Sequence, residues 1–267
     1  MELAELREKP HLSASSIGTY IECSLKYKLA RIDNLKPDFI SAALVYGSTI
    51  HKVLESYHQA RKHNEKLPLS YLLELYEKYW GNELKARENI RFKSGVTAET
   101  LLNEGKSLLT VYYDRYPCEY RVIDTEMPFS FTLENLPIAI IGAIDLLEED
   151  EDGSIIITDH KTSGRAFSIG EVERNLQLTI YQLAMREAYP DREIILKLDA
   201  LIKTRKPKFE QFYTFRDEEA EQRLKRKIAA VWQGIEREVF IPNEESWFCG
   251  SCEYKTHCNE WFLRRAA

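Results

Sequence analysis

Three residues in the middle of the chain, Asp145, Asp159 and Lys161, have the types and spacing to do chemistry. The segment joining the aspartates reads as an apolar strand, an acidic turn containing Asp152-Gly153 and a second apolar strand, which is a hairpin signature. With a loop at Glu151-Asp152-Gly153 and Gly153 in the left-handed position, the register sets Asp145 opposite Asp159. Opposed residues share one face with Cβ atoms about 5 Å apart, and like charges so placed repel. A divalent cation would relieve that repulsion, and carboxylates suit the hard ions Mg²⁺ and Mn²⁺. Lys161 lies two residues after Asp159, so it points to the same face and puts an ammonium beside the ion. An Asp-x-Lys at a solvated strand end would be an ordinary ion pair, but these charges interrupt strands that are apolar on both sides and so need another reason.

A second constellation is made of thiols. Cys249, Cys252 and Cys258 form Cys-x2-Cys-x5-Cys near the end of the chain, and Cys23 stands far upstream. Four thiolates suit zinc or an iron–sulfur cluster, because soft sulfur binds both and a tetrahedral set satisfies either. The fifth cysteine, Cys118, has no place in the spacing and reads as buried apolar filler. Two helix faces are also marked: Gly47, His51 and Glu55 are spaced by four, as are Gln177 and Tyr181. Taken singly, His51 reads more readily as a satisfied core or surface histidine than as a ligand, and Gln177 with Tyr181 more readily as an interfacial hydrogen-bonding pair. The glycine would let its helix approach the sheet closely.

The elements that must hold these residues are legible in outline. Helical spacing runs from Ser13 to Ala30, where serines suit the cap, then over about 47–63, 69–87 and 97–116, ending at Pro117. From Glu119 the pattern turns to strands over 121–133, 137–147 and 154–161, followed by a helix over 169–189, strands over 193–204 and 209–215, and a charged helix over 217–238. The tail from Phe240 reads as irregular. No internal repeat or flexible linker divides the chain, so one α/β domain is expected: a helical portion at about 47–117, a sheet core at about 119–238, and a lobe built from Cys23 and residues 240–267.

Composition narrows the function. The 267 residues are 44% hydrophobic, enough for a substantial core, and the net charge of −6 means that any contact with nucleic acid must come from a local basic patch. Residues 200–227 supply one, with nine Lys or Arg against five Asp or Glu. Lys203, Arg205, Lys206 and Lys208 gather there about a hairpin tip at Pro207, to track phosphates or simply to solvate a turn. No base-reading motif accompanies them. The N-terminus is charged, with no secretory signal and no membrane-spanning run, so an intracellular, cytoplasmic and reducing setting is expected, where ligation is the better reading of the cysteines than disulfides.

Asp159-His160-Lys161-Thr162, preceded by Gly142-Ala143-Ile144-Asp145, resembles the active-site core of the PD-(D/E)XK nuclease superfamily, specifically its RecB-type branch. Tyr46 to Glu55 resembles the upstream helix of that branch with its metal-binding histidine, here His51, and Leu176 to Tyr181 resembles its Gln-x-x-x-Tyr helix. Ser13 to Cys23 and Phe248 to Cys258 resemble the split cluster motif of AddB-type and CRISPR-associated nucleases. Departures are Ile144 in place of proline, His160 where tyrosine is frequent, and Ser24 where proline often follows the first cysteine. The resemblance implies a restriction-endonuclease-like mixed sheet flanked by helices, with an N-terminal helical insertion and a C-terminal cysteine lobe. It implies Mg²⁺ or Mn²⁺ held by His51, Asp145, Asp159 and the backbone carbonyl of His160, with Lys161 catalytic, Gln177 and Tyr181 positioning DNA, and a structural [4Fe–4S] cluster on Cys23, Cys249, Cys252 and Cys258. The activity implied is hydrolysis of DNA, by preference as a single-strand exonuclease, with a helicase or other DNA-processing protein as partner. The alternative is a catalytically silent DNA-binding or scaffold subunit of a helicase–nuclease or CRISPR adaptation complex. Electron transfer or redox sensing is the weaker use of the cluster, since no redox-partner site accompanies it.

Overall fold

The computed structural model describes residues 2–134 and 136–263. The N-terminal third is mostly helical, with α1 (Leu3–Arg7), a short β1 (His11–Leu12), α2 (Ala14–Glu22), α3 (Ser24–Tyr27) and a π-helical turn (Lys28–Ile32). After β2 (Ile40–Ser41) come α4 (Ala42–Lys62), α5 (Leu69–Ala86), β3 (Ile90–Arg91) and α6 (Ala98–Arg115). The sheet follows in β4 (Arg121–Thr132), β5 (Ala139–Glu149) and β6 (Ile155–Ser163), then α7 (Ile169–Glu173), α8 (Leu176–Ala188), β7 (Ile194–Ile202), β8 (Lys208–Thr214) and α9 (Glu218–Glu236). A 3-10 turn (Cys249–Ser251) leads into α10 (Lys255–Leu263).

Four expectations need correction. The helix expected from Ser13 to Ala30 breaks at Cys23, whose backbone is extended (φ −160°, ψ 104°), so that this one residue ends α2 and caps α3. The helix expected over 169–189 is two, because Asn175 leaves the helical region and accepts a hydrogen bond from the Leu178 amide to start α8. The tail is not wholly irregular, since α10 forms beyond the cysteine turn. Cys118 is exposed, not buried: it occupies the left-handed bend (φ 55°) between α6 and β4, beside the Tyr57 hydroxyl at 3.2 Å.

The strands make one six-stranded mixed sheet in the order β1-β5-β6-β7-β8, with β4 antiparallel along the other edge of β5. Alternation puts Ile155, Ile157, Leu196 and Leu198 against α2, α8 and α9 on one face, while Leu146, Leu201 and Phe209 meet α4, α5 and α6 on the other. The result is a sheet between two helical layers, the restriction-endonuclease-like fold. The β5–β6 hairpin has the expected register, with Leu146 opposite Thr158 and Glu149 opposite Ile155, and Gly153 takes the left-handed backbone (φ 88°).

One irregularity matters for function. β5 is paired with β4 along its whole length, so β1 and β6 must share its remaining edge. β6 pairs with residues 146–149 and β1 with residues 139–140, which leaves 141–145 along an open fork in the sheet. Asp145 stands at the lip of that fork.

Candidate active site and metal centre

At the fork the side chain of Asp145 takes over where the ladder stops, and its Oδ2 accepts the His160 amide at 2.8 Å. One pairing step beyond Leu146 and Thr158, Asp145 and Asp159 face each other across the hairpin. Asp159 is fully buried; its Oδ1 accepts from Lys161 Nζ at 2.9 Å and its Oδ2 has no partner. Burial, with Asp145 adding repulsion, raises the Asp159 carboxyl to about 6 against the pull of Lys161. For Lys161, burial lowers the ammonium pKa but Asp159 and Asp145 outweigh it, and the net shift is upward, so the group stays charged. An orphaned buried oxygen among repelling carboxylates is the electrostatic state a cation relieves.

α4 brings His51 to the same place. Gly47, one turn earlier, lies against β6, but a Cβ there would meet only Thr162 Oγ1 at 3.4 Å, an ordinary contact, so the approach of α4 to the sheet does not depend on the glycine as expected. His51 Nδ1 sits 3.4 Å from Asp145 Oδ2. A residue that the motif reading missed, Glu126, completes the group: His51, Glu126 and Asp145 each offer a ligand atom, all within 4.8 Å of one another. Asp159 does not belong to that closest set. Glu126 occupies the β4 position opposite Asp145, between the pairs Thr125–Leu146 and Met127–Ile144, and holds a left-handed backbone (φ 47°) that costs a non-glycine residue roughly 1–2 kcal/mol. Burial, then Asp145 and Glu55, push its carboxyl up to about 8. The sequence signal was an unbalanced acid in an apolar strand, blurred by Asp124 two residues earlier, which turns out to pair with Lys62 at 2.8 Å. The donor set, three carboxylates and an imidazole, fits a hard divalent ion.

Lys161 is held from a second side. Its Nζ donates to Gln177 Oε1 at 2.9 Å, Gln177 Nε2 donates to the Tyr181 hydroxyl, and that hydroxyl donates to the Ala143 carbonyl at 2.7 Å, on the open edge of β5. The four-residue spacing of Gln177 and Tyr181 therefore ties the lysine to the fork, and both side chains also line the cleft beside it. His160 faces the other way, as its place in the strand requires. Its ring is buried, stacked on His58 at 5.6 Å between centroids. Arg61, which can only donate, reaches His58 Nδ1 at 2.9 Å, so the His58 proton lies on Nε2 and is given to the Tyr112 hydroxyl at 2.6 Å. Tyr112 then donates to His160 Nε2 at 3.3 Å, leaving the His160 proton on Nδ1, 3.8 Å from Asp145 Oδ2. Burial drives both histidines well below their usual pKa and keeps them neutral.

The cysteines converge elsewhere. Cys23, Cys249, Cys252 and Cys258 line a single pocket walled by Leu25, Leu29 and Tyr254. Backbone amides of Lys26 and Tyr254 point at Cys23 and Cys252 sulfur, each at 3.5 Å. Burial pushes the Cys252 and Cys258 thiols up. The two chain ends are stitched here independently, by Ile241 N–H to Ser24 Oγ at 2.7 Å and Asn243 Nδ2 to the Glu22 carbonyl at 2.9 Å.

The basic loop is a hairpin tip as expected, between β7 and β8. Arg205, Lys206 and Lys208 are exposed, whereas Lys203 bends back over the Tyr46 ring, with Nζ 4.7 Å from its centroid and 3.9 Å from Glu104.

A forked mixed sheet with acidic residues and one lysine converging at the split defines the class of architecture, that of a nuclease fold. The chain belongs to the PD-(D/E)XK nuclease superfamily, whose family model matches residues 11–259. Among solved structures it is similar to a protein from Eubacterium rectale described as "Putative exonuclease", with TM-score 0.60 and 11% identity over 91% of this chain and 88% of that one. It also aligns with the protein designated SSO0001 at 14% identity over 88% of this chain and 93% of that one, but the TM-score of 0.37 is too low to carry weight. No curated protein matches it in sequence. Among the described residues, no helix is long and apolar enough to cross a membrane.

Proposed function

We propose that this chain is a Mg²⁺- or Mn²⁺-dependent deoxyribonuclease of the RecB-type branch, acting by preference as a single-strand exonuclease. The observation that carries the reading is the convergence, at the sheet fork, of Asp145, Asp159 and Lys161 with His51 and Glu126. In this reading His51, Glu126, Asp145 and Asp159 hold the ion or ions, with the His160 carbonyl beside them. Bound there, a divalent cation supplies an acidified water and polarises the phosphodiester. Lys161, charged and fixed by Asp159 and Gln177, orients the nucleophile and offsets negative charge as it develops on the phosphate. Gln177 and Tyr181 keep the lysine on station at the wall along which the strand would run. The exonuclease preference draws on the family resemblance and on the description of the Eubacterium rectale neighbour.

Four thiols lining one pocket suit zinc or an iron–sulfur cluster alike. The reading as a [4Fe–4S] cluster draws on the resemblance of residues 13–23 and 248–258 to the split cluster motif of AddB-type and CRISPR-associated nucleases. Apolar walls and amide donors to sulfur suit a buried cluster. Its role is structural, fastening α2 and α3 to the tail, in keeping with a reducing intracellular setting.

The test is a digestion series on labelled single-stranded and duplex DNA, blocked at either end, in Mg²⁺, Mn²⁺ or chelator. Lys161→Ala should cut about 10²–10³-fold more slowly while still binding DNA; cleavage at the unaltered rate would reject the assignment.

A further inference from the structure

The open edge of β5 at residues 141–145 is the floor of a cleft of about 640 Å³. Glu126 and Asp145 line it from the sheet. The N-terminal segment supplies other lining: Arg7 at the end of α1, Ser13 and Ser15 at the start of α2, and Arg31 in the π-helical turn. Other arginines near the surface, such as Arg87, Arg121, Arg165, Arg192 and Arg223, each reach a carboxylate, whereas the two that line this cleft do not. Arg7 and Arg31 are exposed and, among the described residues, are in no ion pair. Arg7 is near enough to the metal group to draw down the Glu126 pKa.

Two unpaired guanidinium groups lining the cleft of an acidic metal centre, in a chain of net charge −6, offer a local positive site to an anion that enters there. We propose that Arg7 and Arg31, with the hydroxyls of Ser13 and Ser15, form a phosphate subsite gripping the backbone of a nucleic-acid strand next to the bond to be cut. The inference rests on the nuclease reading above and names where that substrate is held. The guanidinium fork matches phosphate oxygens two at a time, and serine hydroxyls donate without reading a base. The subsite therefore recognises backbone and is indifferent to sequence. It stands apart from the Lys203–Lys208 hairpin, whose first lysine is folded back against Tyr46 and the α4–α6 layer.

The test is the salt dependence of binding. A fluorescent oligothymidylate with nuclease-resistant phosphorothioate linkages is titrated into full-length protein with Mg²⁺ over roughly 50–200 mM salt. Removing one cation that neutralises a phosphate flattens the slope of log K against log salt by about 0.7 for a single strand. Arg7→Ala and Arg31→Ala should each flatten it by about that much and weaken affinity about tenfold, and the double variant should flatten it about twice as far. Both side chains are exposed and unpaired, so these proteins should fold, which a circular dichroism melt verifies. Arg7→Lys and Arg31→Lys should keep the slope and only part of the affinity, because the charge stays and the fork goes. A double alanine variant with the wild-type slope overturns the subsite and leaves the nuclease reading standing. Wild-type protein that binds the strand at no salt concentration overturns the nuclease reading, and the subsite with it.

Discussion

Glu126→Gln in metal-free protein should raise stability, and the gain should grow with pH. Burial and the neighbouring Asp145 and Glu55 lift this carboxyl from its usual 4.5 to about 8. The sign follows from proton linkage. Below pH 4.5 the group is protonated in both folded and unfolded chains, and glutamine mimics it, so the two proteins match. Between 4.5 and about 8 the unfolded chain ionises and the folded one resists, so the wild type loses stability steadily and the variant does not. At 1.36 kcal/mol per pH unit the full rise corresponds to about 5 kcal/mol; water reaching a half-buried group would reduce it to about 2 kcal/mol. For a chain of this size that is a melting-temperature difference of about 5 °C, reached near pH 9. The assay is thermal unfolding of both proteins in chelator across pH 5–9, repeated with Mg²⁺. Mg²⁺ should stabilise the wild type far more than the variant, because it neutralises the carboxylate that glutamine removes. Parallel pH profiles for the two proteins would show that Glu126 is not strained by its neighbours, and equal stabilisation by Mg²⁺ that it is not a ligand.

Tyr112→Phe removes the donor to His160 Nε2 and the acceptor for His58 Nε2, leaving buried imidazole nitrogens without partners. It should cost about 1–3 kcal/mol in chemical unfolding and weaken Mg²⁺ binding by calorimetry about tenfold, because the His160 amide positions Asp145 Oδ2; unchanged metal affinity would confine the relay to packing. Cys23→Ser should abolish the brown colour and visible absorbance expected of the purified protein, leave residual iron, and lower the melting temperature by roughly 5 °C or more. A colourless wild type with one bound zinc would replace the cluster by a zinc staple.

The strand-turn-strand pattern, the glycine in the turn and the two-residue alternation were enough to place Asp145 opposite Asp159 with Lys161 on their face, because a short hairpin leaves one register that keeps apolar residues inside. The same local rules, applied to four-residue spacing, put His51 on α4 and Gln177 with Tyr181 on α8. What no local rule could reach was which edges of β5 would stay unpaired. The fork exists because the distant β1 and β6 divide one edge between them, and from it follow the cleft, the exposure of Arg7 and Arg31 to it, and the use of Tyr181 to cap the Ala143 carbonyl.

Glu126 shows the same limit. Its acid is plain in the sequence, but only pairing across β4 and β5 sets it against Asp145 while its neighbour Asp124 turns out to Lys62. The buried pair of Glu148 and Lys197, 2.9 Å apart and closed off by Tyr116, was likewise hidden, since each charge looks like an error in its own apolar strand until the two are brought together. Periodicity reports which face a residue occupies, and for the motifs here that was sufficient. Which residues from separate elements meet is fixed by sheet order and helix packing, and a single chain of letters does not contain those distances.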